Sequence, residues 1–370
     1  MKYYIIAGEA SGDLHGSNLM KELFKIDSNA TIRFWGGDLM QNVGGTLIKH
    51  YRELAFMGFL EVILNIKTIF KNIVFCKKDI VNFRPDVIIF IDYPGFNMRI
   101  AKWAKTKNFK THYYIAPQIW AWKENRIKDI KRDFDALYVI LPFEKQFFED
   151  KHQFPVKFVG HPLIDAIANN SYQKLDDFVS ANRLTGKPII AILPGSRKQE
   201  LSKMLSIMLS VADDFHNYDF VIAGAPSQDF EVYKPFLNRK NVFFVANKTY
   251  DLLSNATAAL VTSGTATLET ALFKVPEVVC YKVSWLSYQI AKRLITLKYI
   301  SLVNLIMDQE VVKELIQDDC NKNEIKAALQ NILDIQNRDI LINKYNDLAN
   351  KLGGKGASKK TAQYVFDAIT

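Results

Sequence analysis

Short apolar runs alternate with segments of helical length along nearly the whole chain, and this alternation restricts the fold more than any other feature. In the first half the runs predict strands at Tyr3–Ala7, Thr31–Trp35, Val87–Ile91, Thr111–Ile115, Ala136–Leu141 and Lys157–Val159. In the second half they predict strands at Pro188–Leu193, Phe220–Ala223, Val242–Val245, Ala258–Val261 and Val278–Tyr281. Several runs are continuously apolar, as in parallel strands that helices cover on both faces. The sequence therefore predicts an α/β protein with two consecutive doubly wound, Rossmann-like domains.

The chain of 370 residues is long enough for two domains, each with its own core. A turn-rich, polar stretch that begins at His161 and Pro162 predicts a linker near residues 162–186. We therefore expect an N-terminal domain over residues 1–165 and a C-terminal domain over residues 166–345. Residues 346–370 are expected to form a C-terminal helix that packs back on the N-terminal domain.

Composition argues against several classes of protein. Cys76, Cys280 and Cys320 form no CxxC pair, so the sequence indicates neither a disulfide framework nor a zinc site. It shows no run of about 18 uncharged apolar residues and no signal-peptide layout, so a cytoplasmic location is expected. The net charge of +9 suits a polyanion, either nucleic acid or an anionic membrane, although a solvated lysine-rich surface explains it equally well.

The first predicted strand leads into a glycine-spaced loop, AGEASGDLHG. Its glycines at positions 8, 12 and 16 match neither common phosphate-loop spacing, and Glu9 and Asp13 would repel a phosphate. The loop is open to three interpretations: a phosphate cradle, a tight turn that needs glycine, or a loop on the acceptor side of a cleft. The last of these is favoured.

Asp92 is the first polar residue after the apolar strand VIIFI, in the stretch DYPGFN. A carboxylate at the carboxyl end of a buried strand can act as a general base, although an aspartate that only accepts backbone hydrogen bonds in a turn is equally common. Asn97 is placed to cap the helix that follows the turn.

The stretch APQIWAWKENRIKDIKR follows a third strand. Gln118, Trp120 and Trp122 would suit a sugar-stacking surface, but core packing explains the tryptophans as well. The helix beyond them is basic. Asp133 and Asp135 imitate a DxD metal signature but precede a strand instead of following one, so we dismiss them as metal ligands.

Two loops of the second half are rich in small residues and open helices. The first holds Gly195, Ser196 and Arg197, and the second holds Ser263, Gly264, Thr265 and Thr267. Small residues let backbone N–H groups approach a diphosphate at the positive end of a helix, and Arg197 adds a bidentate donor. Glu269 would reach ribose hydroxyls. Together the loops favour a nucleotide-diphosphate site over ordinary helix caps.

An apolar helix is predicted from Met57 to about Asp79. On a helical projection, one side is expected to face solvent and carries Leu60, Leu64 and Phe75 among Lys67, Lys71 and Lys78. Phe70 is expected on the side that faces the core. Apolar residues between lysines are typical of a helix that lies on a membrane surface. A second copy of the chain would cover such a face equally well, so a homodimer stays open.

These stretches together resemble one family closely. AGEASGDLHG, MGFLEV, DYPGFN, APQIWAW, VGHPL, LPGSR, SGTATLE and LVNLIMDQEVVKELIQ occur in this order in lipid-A-disaccharide synthases, from residue 3 to about residue 320. The resemblance implies a GT-B fold with a cleft between two domains, and an inverting glycosyltransferase of lipid A synthesis in Gram-negative bacteria. The implied donor is UDP-2,3-diacylglucosamine and the implied acceptor 2,3-diacylglucosamine 1-phosphate. The products would be UDP and the β(1→6)-linked disaccharide 1-phosphate.

The resemblance also assigns residues. Asp92 falls on the family's proposed base, and Glu9 is predicted to be a second catalytic residue. Arg197 and the run from Ser263 to Glu269 fall on the UDP-binding stretch. Asn304 and Gln317 match positions implicated in activity, although Val303 stands where the family usually has proline. The residues predicted to line the acceptor side or cleft are Ser11, Asp13, His15, Asn97, Gln118, Trp120, Asn304 and Gln317.

The expected partners follow from the implied substrates. Both carry fatty acyl chains, so we expect peripheral binding to the cytoplasmic face of the inner membrane. No metal or other cofactor is expected, because Arg197 and a helix N-terminus can stabilise the leaving diphosphate. Alternatives are a muramyl-lipid N-acetylglucosaminyltransferase, a UDP-sugar 2-epimerase, or a non-catalytic basic protein that binds nucleic acid. The first two are not expected to combine DYPGFN with APQIWAW, and no nucleic-acid motif is present, so nucleic acid is not an expected partner.

Overall fold

The computed structural model describes residues 1–54, 66–168, 170–195, 198–225, 228–284, 288–289 and 298–370. The chain forms two compact units. The first comprises Met1–Ala168 and Leu352–Thr370, and the second comprises Asn169–Lys351. Residues 346–351, expected in the C-terminal helix, therefore belong to the second unit.

The first unit is built on a seven-stranded, all-parallel sheet. Its strands are β1 (Lys2–Ala7), β2 (Thr31–Gly36), β3 (Thr46–His50), β4 (Val87–Ile91), β5 (Thr111–Tyr114), β6 (Ala136–Val139) and β7 (Lys157–Phe158), in the order β3-β2-β1-β4-β5-β6-β7. Its helices include α1 (Ala10–Ile26), α2 (Asp38–Val43), α3 (Ile66–Phe83), α4 (Pro94–Thr106), α5 (Ile119–Trp122), α6 (Ile127–Asp133), α7 (Pro142–Gln146) and α8 (Pro162–Ala168). The central strands β1 and β4 are apolar and buried almost throughout, because they are interior strands of the sheet.

The second unit repeats this plan with six parallel strands. They are β8 (Ile189–Leu193), β9 (Asp219–Gly224), β10 (Val242–Ala246), β11 (Ala256–Thr262), β12 (Glu277–Tyr281) and β13 (Lys313–Ile316), in the order β10-β9-β8-β11-β12-β13. Its described helices include α9 (Leu175–Ala181), α10 (Lys198–Met208), α11 (Thr249–Asn255), α12 (Thr265–Leu272), α13 (Leu302–Met307), α14 (Lys322–Leu333) and α15 (Ile335–Lys351). The prediction of two doubly wound α/β domains is therefore confirmed.

Two strands were missed by the sequence analysis, and both are edge strands. β3 reads TLIKH and β13 reads KELI, and each pairs with a single neighbour. An edge strand tolerates charged and half-exposed side chains, so it lacks the continuous apolar run that marks an interior strand. The boundary between the units, after Ala168, falls within the linker predicted near 162–186, but α8 and α9 occupy most of that stretch.

The last helix, α16 (Ala357–Asp367), closes the first unit. It packs against α1, and Ala357, Ala362 and Val365 are buried in that contact region. The carboxylate of Asp165 in α8 accepts hydrogen bonds from the backbone N–H groups of Gly356 (2.6 Å) and Ser358 (3.2 Å). Asp165 thereby caps α16 from another helix, since the N-cap residue Gly356 has no side chain to do so.

A buried hydrogen-bond chain fixes the rotation of α3. The Trp35 Nε1–H group donates to the Tyr4 hydroxyl (2.9 Å), and that hydroxyl donates to Asp79 Oδ2 (2.8 Å). Asp79 therefore faces β1 and β2, together with the buried Ile73 and Cys76. The opposite face of α3 is left to solvent.

Candidate active site

Each sheet has one point at which the strand order reverses, and ligands of doubly wound proteins bind at such points, beyond the carboxyl ends of the strands. In the first unit the point lies between β1 and β4, and the loops that follow these strands carry Glu9 and Asp92. In the second unit it lies between β8 and β11, whose loops carry Gly195 and Ser263. The topology thus places predicted site residues at both reversal points.

The backbone at Asp92 is held in an uncommon conformation. Asp92 and Tyr93 are consecutive left-handed residues with φ of 45° and 50°, which side-chain-bearing residues rarely adopt. The Asp92 carbonyl oxygen accepts hydrogen bonds from Asn97 Nδ2 (2.7 Å) and from the Tyr113 hydroxyl (2.8 Å). These two bonds help to hold the turn that aims the Asp92 side chain.

Glu9 and Asp92 interact electrostatically. Burial raises the pKa of Glu9, and the negative charge of Asp92 raises it further. Burial also raises the pKa of Asp92, while the backbone N–H of Tyr93 opposes that shift. Two neighbouring carboxyls that resist full ionisation are suited to exchanging a proton with a bound hydroxyl group.

Tyr93 is a part of this cluster that the sequence analysis did not select. A Cβ atom on Gly8 would lie 2.2 Å from the Tyr93 ring, so the ring fits over residue 8 only because that residue is glycine. Burial and the charge of Glu9 raise the pKa of the Tyr93 hydroxyl. Its place in DYPGFN, directly after Asp92, was the available signal.

Asp13 was predicted to line the acceptor side, but in the structure its side chain has a structural role. It is buried, and its carboxylate accepts backbone N–H bonds from Gly37 (2.7 Å), Leu39 (3.0 Å) and Met40 (3.0 Å) at the start of α2. Because these donors engage both of its oxygens, Asp13 fixes α2 rather than offering a free carboxylate. This corrects the prediction.

The other two predicted residues of this loop differ in exposure. Ser11 is exposed in the first turn of α1. His15 is buried, and burial lowers its pKa to about 4. His161 lies close enough for the charge of His15 to contribute to its own lowered pKa of about 3, for which burial is the main cause. The two imidazoles are therefore neutral near pH 7.

Asn97 does not cap its helix, contrary to the prediction. α4 begins at Pro94, because proline is preorganised for the first helical position, and Asn97 lies inside the first turn. Its side chain is buried, and its Nδ2 reaches back to the Asp92 carbonyl. Asn97 therefore holds the Asp92 turn.

The APQIWAW stretch ends in α5 (Ile119–Trp122), and its two tryptophans lie in different environments. Trp120 is half-buried, and its indole N–H donates to Glu144 Oε1 (3.2 Å). Trp122 is 54% exposed, with Lys123 Nζ 3.9 Å from its ring centroid. Gln118 is exposed at the start of α5. The buried Glu144, which the sequence analysis missed, fixes Trp120.

The two small-residue loops of the second unit meet. A Cβ on Gly195, whose φ is 90°, would be 3.6 Å from Thr262 Cγ2 at the end of β11. The Thr262 hydroxyl is buried and has no hydrogen-bond partner among the described residues. Ser196 and Arg197 lie outside the described residues, so their predicted roles rest on the sequence.

The loop after β11 uses two of its hydroxyls internally. Ser263 Oγ donates to the Ile300 carbonyl (2.8 Å), and the buried Thr267 Oγ1 donates to the Gly264 carbonyl (2.8 Å). Gly264 (φ 150°) and Thr265 are exposed at the start of α12. Thr267 Oγ1 is therefore engaged within the loop, whereas Gly264 and Thr265 are open to solvent, and UDP binding by this loop stays a prediction.

Glu269 lies beside a cavity. Its Oε1 accepts a hydrogen bond from the Tyr250 hydroxyl (2.8 Å), and burial raises its pKa. Tyr250 lines a cavity of about 350 Å³ formed by residues 170–172 and 247–251. This cavity stands at the carboxyl end of β10, on the ligand-binding edge of the sheet. Tyr250 was not predicted; its position just after a strand was the only signal.

Asn304 and Gln317 are engaged within the second unit. Asn304 is fully buried; its Nδ2 donates to Val312 O and Glu314 Oε1, and its Oδ1 accepts from the N–H groups of Val311 and Val312. Gln317 Oε1 accepts from Val283 N (2.8 Å). The prediction that Asn304 lines the acceptor side is corrected, because its amide has no free hydrogen-bonding group.

The exposed face of α3 differs in part from the prediction. Lys67, Lys71 and Lys78 are exposed and Phe75 is 47% exposed, whereas Phe70, predicted to face the core, is 59% exposed. Val74 extends this face and is 65% exposed. Leu60 and Leu64 lie outside the described residues. Phe70 and Val74 point outward because Asp79, Ile73 and Cys76 take the inner side.

Among the residues that the structure describes, no group of three or more His, Cys, Asp or Glu side chains is arranged to hold a metal ion. In the same part of the chain, no helix combines the length and apolar content that crossing a bilayer requires.

Comparisons with known proteins agree on one family. The family model described as Lipid-A-disaccharide synthetase matches residues 3–367. The lipid-A-disaccharide synthase of Geobacter metallireducens (strain ATCC 53774 / DSM 7210 / GS-15) is 36% identical over 372 residues, which covers 99% of this chain and 96% of that protein. That of Coxiella burnetii (strain Dugway 5J108-111) is 35% identical over 370 residues, with coverage of 99% and 98%.

Solved structures are similar in fold. A UDP-GlcNAc 2-epimerase from Neisseria meningitidis, solved with bound UDP-GlcNAc, superposes with a TM-score of 0.69 at 13% identity, covering 99% of this chain and 100% of that one. The glycotransferase of kitacinnamycin gives 0.65 at 12% identity, covering 100% and 99%. At such identities the similarity shows the fold alone.

The fold and its reversal-point loops define a GT-B protein, the two-unit α/β class that includes glycosyltransferases and UDP-sugar epimerases. The chain belongs to the lipid-A-disaccharide synthase family and is a glycosyltransferase of lipid A disaccharide formation. The predicted fold, family and enzyme class are confirmed.

Proposed function

We propose that the enzyme transfers 2,3-diacylglucosamine from UDP-2,3-diacylglucosamine to the 6-hydroxyl of 2,3-diacylglucosamine 1-phosphate, with inversion at the anomeric carbon. Membership of the lipid-A-disaccharide synthase family supports the class of substrates. The observation that carries the proposal is the pair of interacting carboxyls, Glu9 and Asp92, at the reversal point of the first sheet.

Asp92 is the base in this proposal. Its carboxylate takes the proton of the acceptor 6-hydroxyl as that oxygen forms a bond to the anomeric carbon, and the bond from that carbon to UDP breaks on the opposite face. The left-handed turn at Asp92 and Tyr93, held by Asn97 and Tyr113, directs the carboxylate. Glu9 influences the protonation of the site through its interaction with Asp92.

The second unit holds UDP in this proposal. Gly264 and Thr265 are exposed at the start of α12, where backbone N–H groups have no partner within the helix, and Gly195 brings the β8 loop against the end of β11. Arg197 supplies positive charge to the leaving diphosphate, and Glu269, oriented by Tyr250, binds ribose hydroxyls. With Arg197 and a helix N-terminus in these roles, the reaction needs no metal ion.

The exposed face of α3 supports membrane docking in this proposal. The acyl chains of both substrates reside in a bilayer, and α3 presents Phe70, Val74 and Phe75 among three lysines. Such a face binds anionic lipid reversibly, at the cytoplasmic surface of the inner membrane. Coverage of the same face by a second copy of the chain would instead indicate a homodimer.

A direct test is UDP release by the purified protein, with the product identified by mass spectrometry. UDP-2,3-diacylglucosamine with the diacylated acceptor should give the disaccharide 1-phosphate and UDP, also in excess EDTA. UDP-N-acetylglucosamine, without acyl chains, should give neither transfer nor 2-epimerisation. Epimerised sugar, or transfer that ignores the acyl chains, would contradict the proposal, and a strict need for Mg²⁺ would contradict its metal-free step.

A further inference from the structure

The APQIWAW stretch leaves the first sheet beside the turn at Asp92. It follows β5, the neighbour of β4, and the Asp92 backbone N–H donates to the Tyr114 carbonyl of β5 (3.3 Å). The Tyr113 hydroxyl, also of β5, donates to the Asp92 carbonyl (2.8 Å). Burial and the charge of Asp92 raise the pKa of that hydroxyl, and the positive charge of Arg126 opposes the rise. Arg126, which follows the APQIWAW stretch, therefore lies on the same edge of the sheet as the proposed base.

Two cations of this region, Lys123 and Arg126, lie against one exposed tryptophan. The Arg126 backbone N–H donates to the Lys123 carbonyl (3.0 Å), so a single tight turn carries both side chains. Lys123 Nζ is 3.9 Å and Arg126 Cζ is 6.0 Å from the ring centroid of Trp122, which is 54% exposed. A cation close to an indole ring is attracted by its electrons, so Trp122 helps to hold both charges in place. An anion that binds both cations would relieve their mutual repulsion.

The neighbouring acidic side chains do not neutralise these two cations. The carboxylates that are close in sequence pair with other cations at 2.6–2.8 Å: Glu124 with Lys151, and Asp129 and Asp133 with Arg132. Among the ion pairs of the described residues, none involves Lys123 or Arg126. The turn therefore presents uncompensated positive charge next to the proposed active site.

We propose that Lys123 and Arg126 bind the phosphate monoester of the acceptor sugar while its 6-hydroxyl faces Asp92. This inference rests on the proposed acceptor, 2,3-diacylglucosamine 1-phosphate. The carbon that bears the phosphate and the carbon that bears the 6-hydroxymethyl group both bond to the ring oxygen, so cations near the base can reach the phosphate. A guanidinium group offers paired N–H donors that match two phosphate oxygens. Trp122 is a positioning residue in this subsite.

Kinetics with the acceptor varied test the subsite on the full chain. Arg126→Gln and Lys123→Gln should each raise the KM for the acceptor by about tenfold or more, because a hydrogen bond to a charged group is lost. Turnover at saturating acceptor and the affinity for UDP should stay unchanged. Arg126→Lys should restore part of the affinity, because it keeps the charge without the paired donors. Lys131→Gln, an exposed cation of α6, is the matched control and should change nothing.

The role of Trp122 is tested by two substitutions. Trp122→Ala should also raise the acceptor KM, because the two cations lose the ring that holds them. Trp122→Phe should restore most of the affinity, because it keeps an aromatic ring. An effect of the same size in both variants would overturn the positioning role.

Binding without turnover separates this inference from the proposed function. Phosphorus NMR of glucosamine 1-phosphate should show saturable binding to the parent and much weaker binding to Arg126→Gln. Such a result supports the subsite even if the parent forms no disaccharide. Disaccharide formation with a parent-like acceptor KM in Arg126→Gln would overturn the subsite and leave the proposed function standing.

Anionic lipid head groups also carry phosphate, and vesicle sedimentation distinguishes that source. Arg126→Gln should sediment with anionic vesicles as the parent does. If this variant instead loses vesicle binding but binds glucosamine 1-phosphate normally, these cations contact a lipid surface and the proposal is overturned. An equal rise of the acceptor KM in Lys131→Gln would also overturn it, because it would indicate diffuse attraction rather than a defined subsite.

Discussion

Asp92 and Tyr93 have strained backbone conformations, and Asp92 is the proposed catalytic base. Each left-handed residue that bears a side chain costs about 1–3 kcal/mol, and such strain persists only where surrounding contacts enforce it. The hydrogen bonds of Asn97 and Tyr113 to the Asp92 carbonyl, and the Tyr93 ring over Gly8, are such contacts. The strain therefore fits a site that fixes the direction of one carboxylate.

The proposed base leads to the first prediction. Asp92→Asn should keep the fold and the affinity for UDP but lower turnover by roughly 10²–10⁴-fold, because the amide cannot accept the proton. Steady-state assays of disaccharide formation measure this. The matched control is Asp86→Asn, because Asp86 is an exposed aspartate that directly precedes β4, the strand that Asp92 follows. Near-normal turnover of Asp92→Asn would remove Asp92 from this role.

The second prediction concerns the leaving diphosphate. Arg197→Ala should weaken UDP binding by about 1.5–3 kcal/mol, as expected for a lost hydrogen bond to a charged group. Calorimetry with UDP tests it, and Lys240→Ala, an exposed cation of the same unit, is the control. Unchanged affinity would count against the assignment of Arg197.

Glu144 gives a pH-dependent prediction. It is buried and accepts N–H bonds from Trp120, Ile140 and Leu141, and burial raises its pKa from 4.5 to about 7 although these donors oppose the shift. The folded chain therefore retains a proton that the unfolded chain releases above about pH 4.5. Its stabilising contribution is complete below that pH and is lost as the pH rises through about 7.

Glu144→Gln should remove this titration. The unfolding free energy of the parent, minus that of the variant, should fall by roughly 2 kcal/mol between about pH 5 and pH 7. Chemical denaturation at several pH values measures it, with the exposed Glu231→Gln as a control for a lost carboxylate. A difference that is flat or rises with pH would contradict the assignment.

At the scale of elements, one side of α3 packs on the core of the first unit, and the other side is the surface that is proposed to contact lipid. Its inner side holds Ile73, Cys76 and Asp79, and its outer side alternates lysines with exposed apolar residues. Each lysine near an anionic surface contributes about 1 kcal/mol of attraction, which supports docking that is reversible and weakened by salt.

Replacing Phe70 and Val74 together by serine should reduce binding to anionic vesicles and activity on vesicle-borne substrate, while UDP affinity stays unchanged. Both are exposed, so the fold should tolerate the change. The control is Ile335→Ser with Ile340→Ser, a pair of exposed apolar residues on α15. Vesicle sedimentation at low and high salt is the measurement. If the variant sediments with vesicles as the parent does, but has changed from a dimer to a monomer, this face contacts a second copy of the chain instead of lipid.

At the scale of the whole molecule, the chain leaves the first unit after Ala168 and returns to it at Leu352. The returning helix α16 is fastened to α8 by two backbone hydrogen bonds to Asp165, which is buried. The first unit is thus completed by the last residues of the chain.

Asp165→Ala should therefore destabilise the first unit by about 1.5–3 kcal/mol, because two backbone N–H groups lose a charged acceptor. Hydrogen exchange should rise in α1 and α16 and stay unchanged in β8 to β13. The exposed Asp150→Asn of the same unit is the control. Equal exchange changes in both units would contradict this local role.

Particular residues show how much of the fold and site was predictable. The interior strand VIIFI was placed with the observed bounds, because a strand buried on both faces must be apolar throughout. The edge strands β3 and β13 were missed, because an edge position relaxes that demand. Glu9 and Asp92 were selected because they follow interior strands, whereas Tyr250 and Glu144 were not, because their partners Glu269 and Trp120 are distant in sequence.

The sequence by itself determined the class of fold, the family and the loops that carry polar or small residues, because these depend on local patterns of apolar runs and motifs. Only the tertiary structure decided which side chains are engaged in contacts within the protein. Asp13 and Asn304 satisfy N–H and C=O groups of neighbouring segments, and Phe70 faces solvent because Asp79 is bonded to Tyr4. The physical reason is that a buried polar group must find its partner in space, and the sequence pattern around a residue does not record that partner.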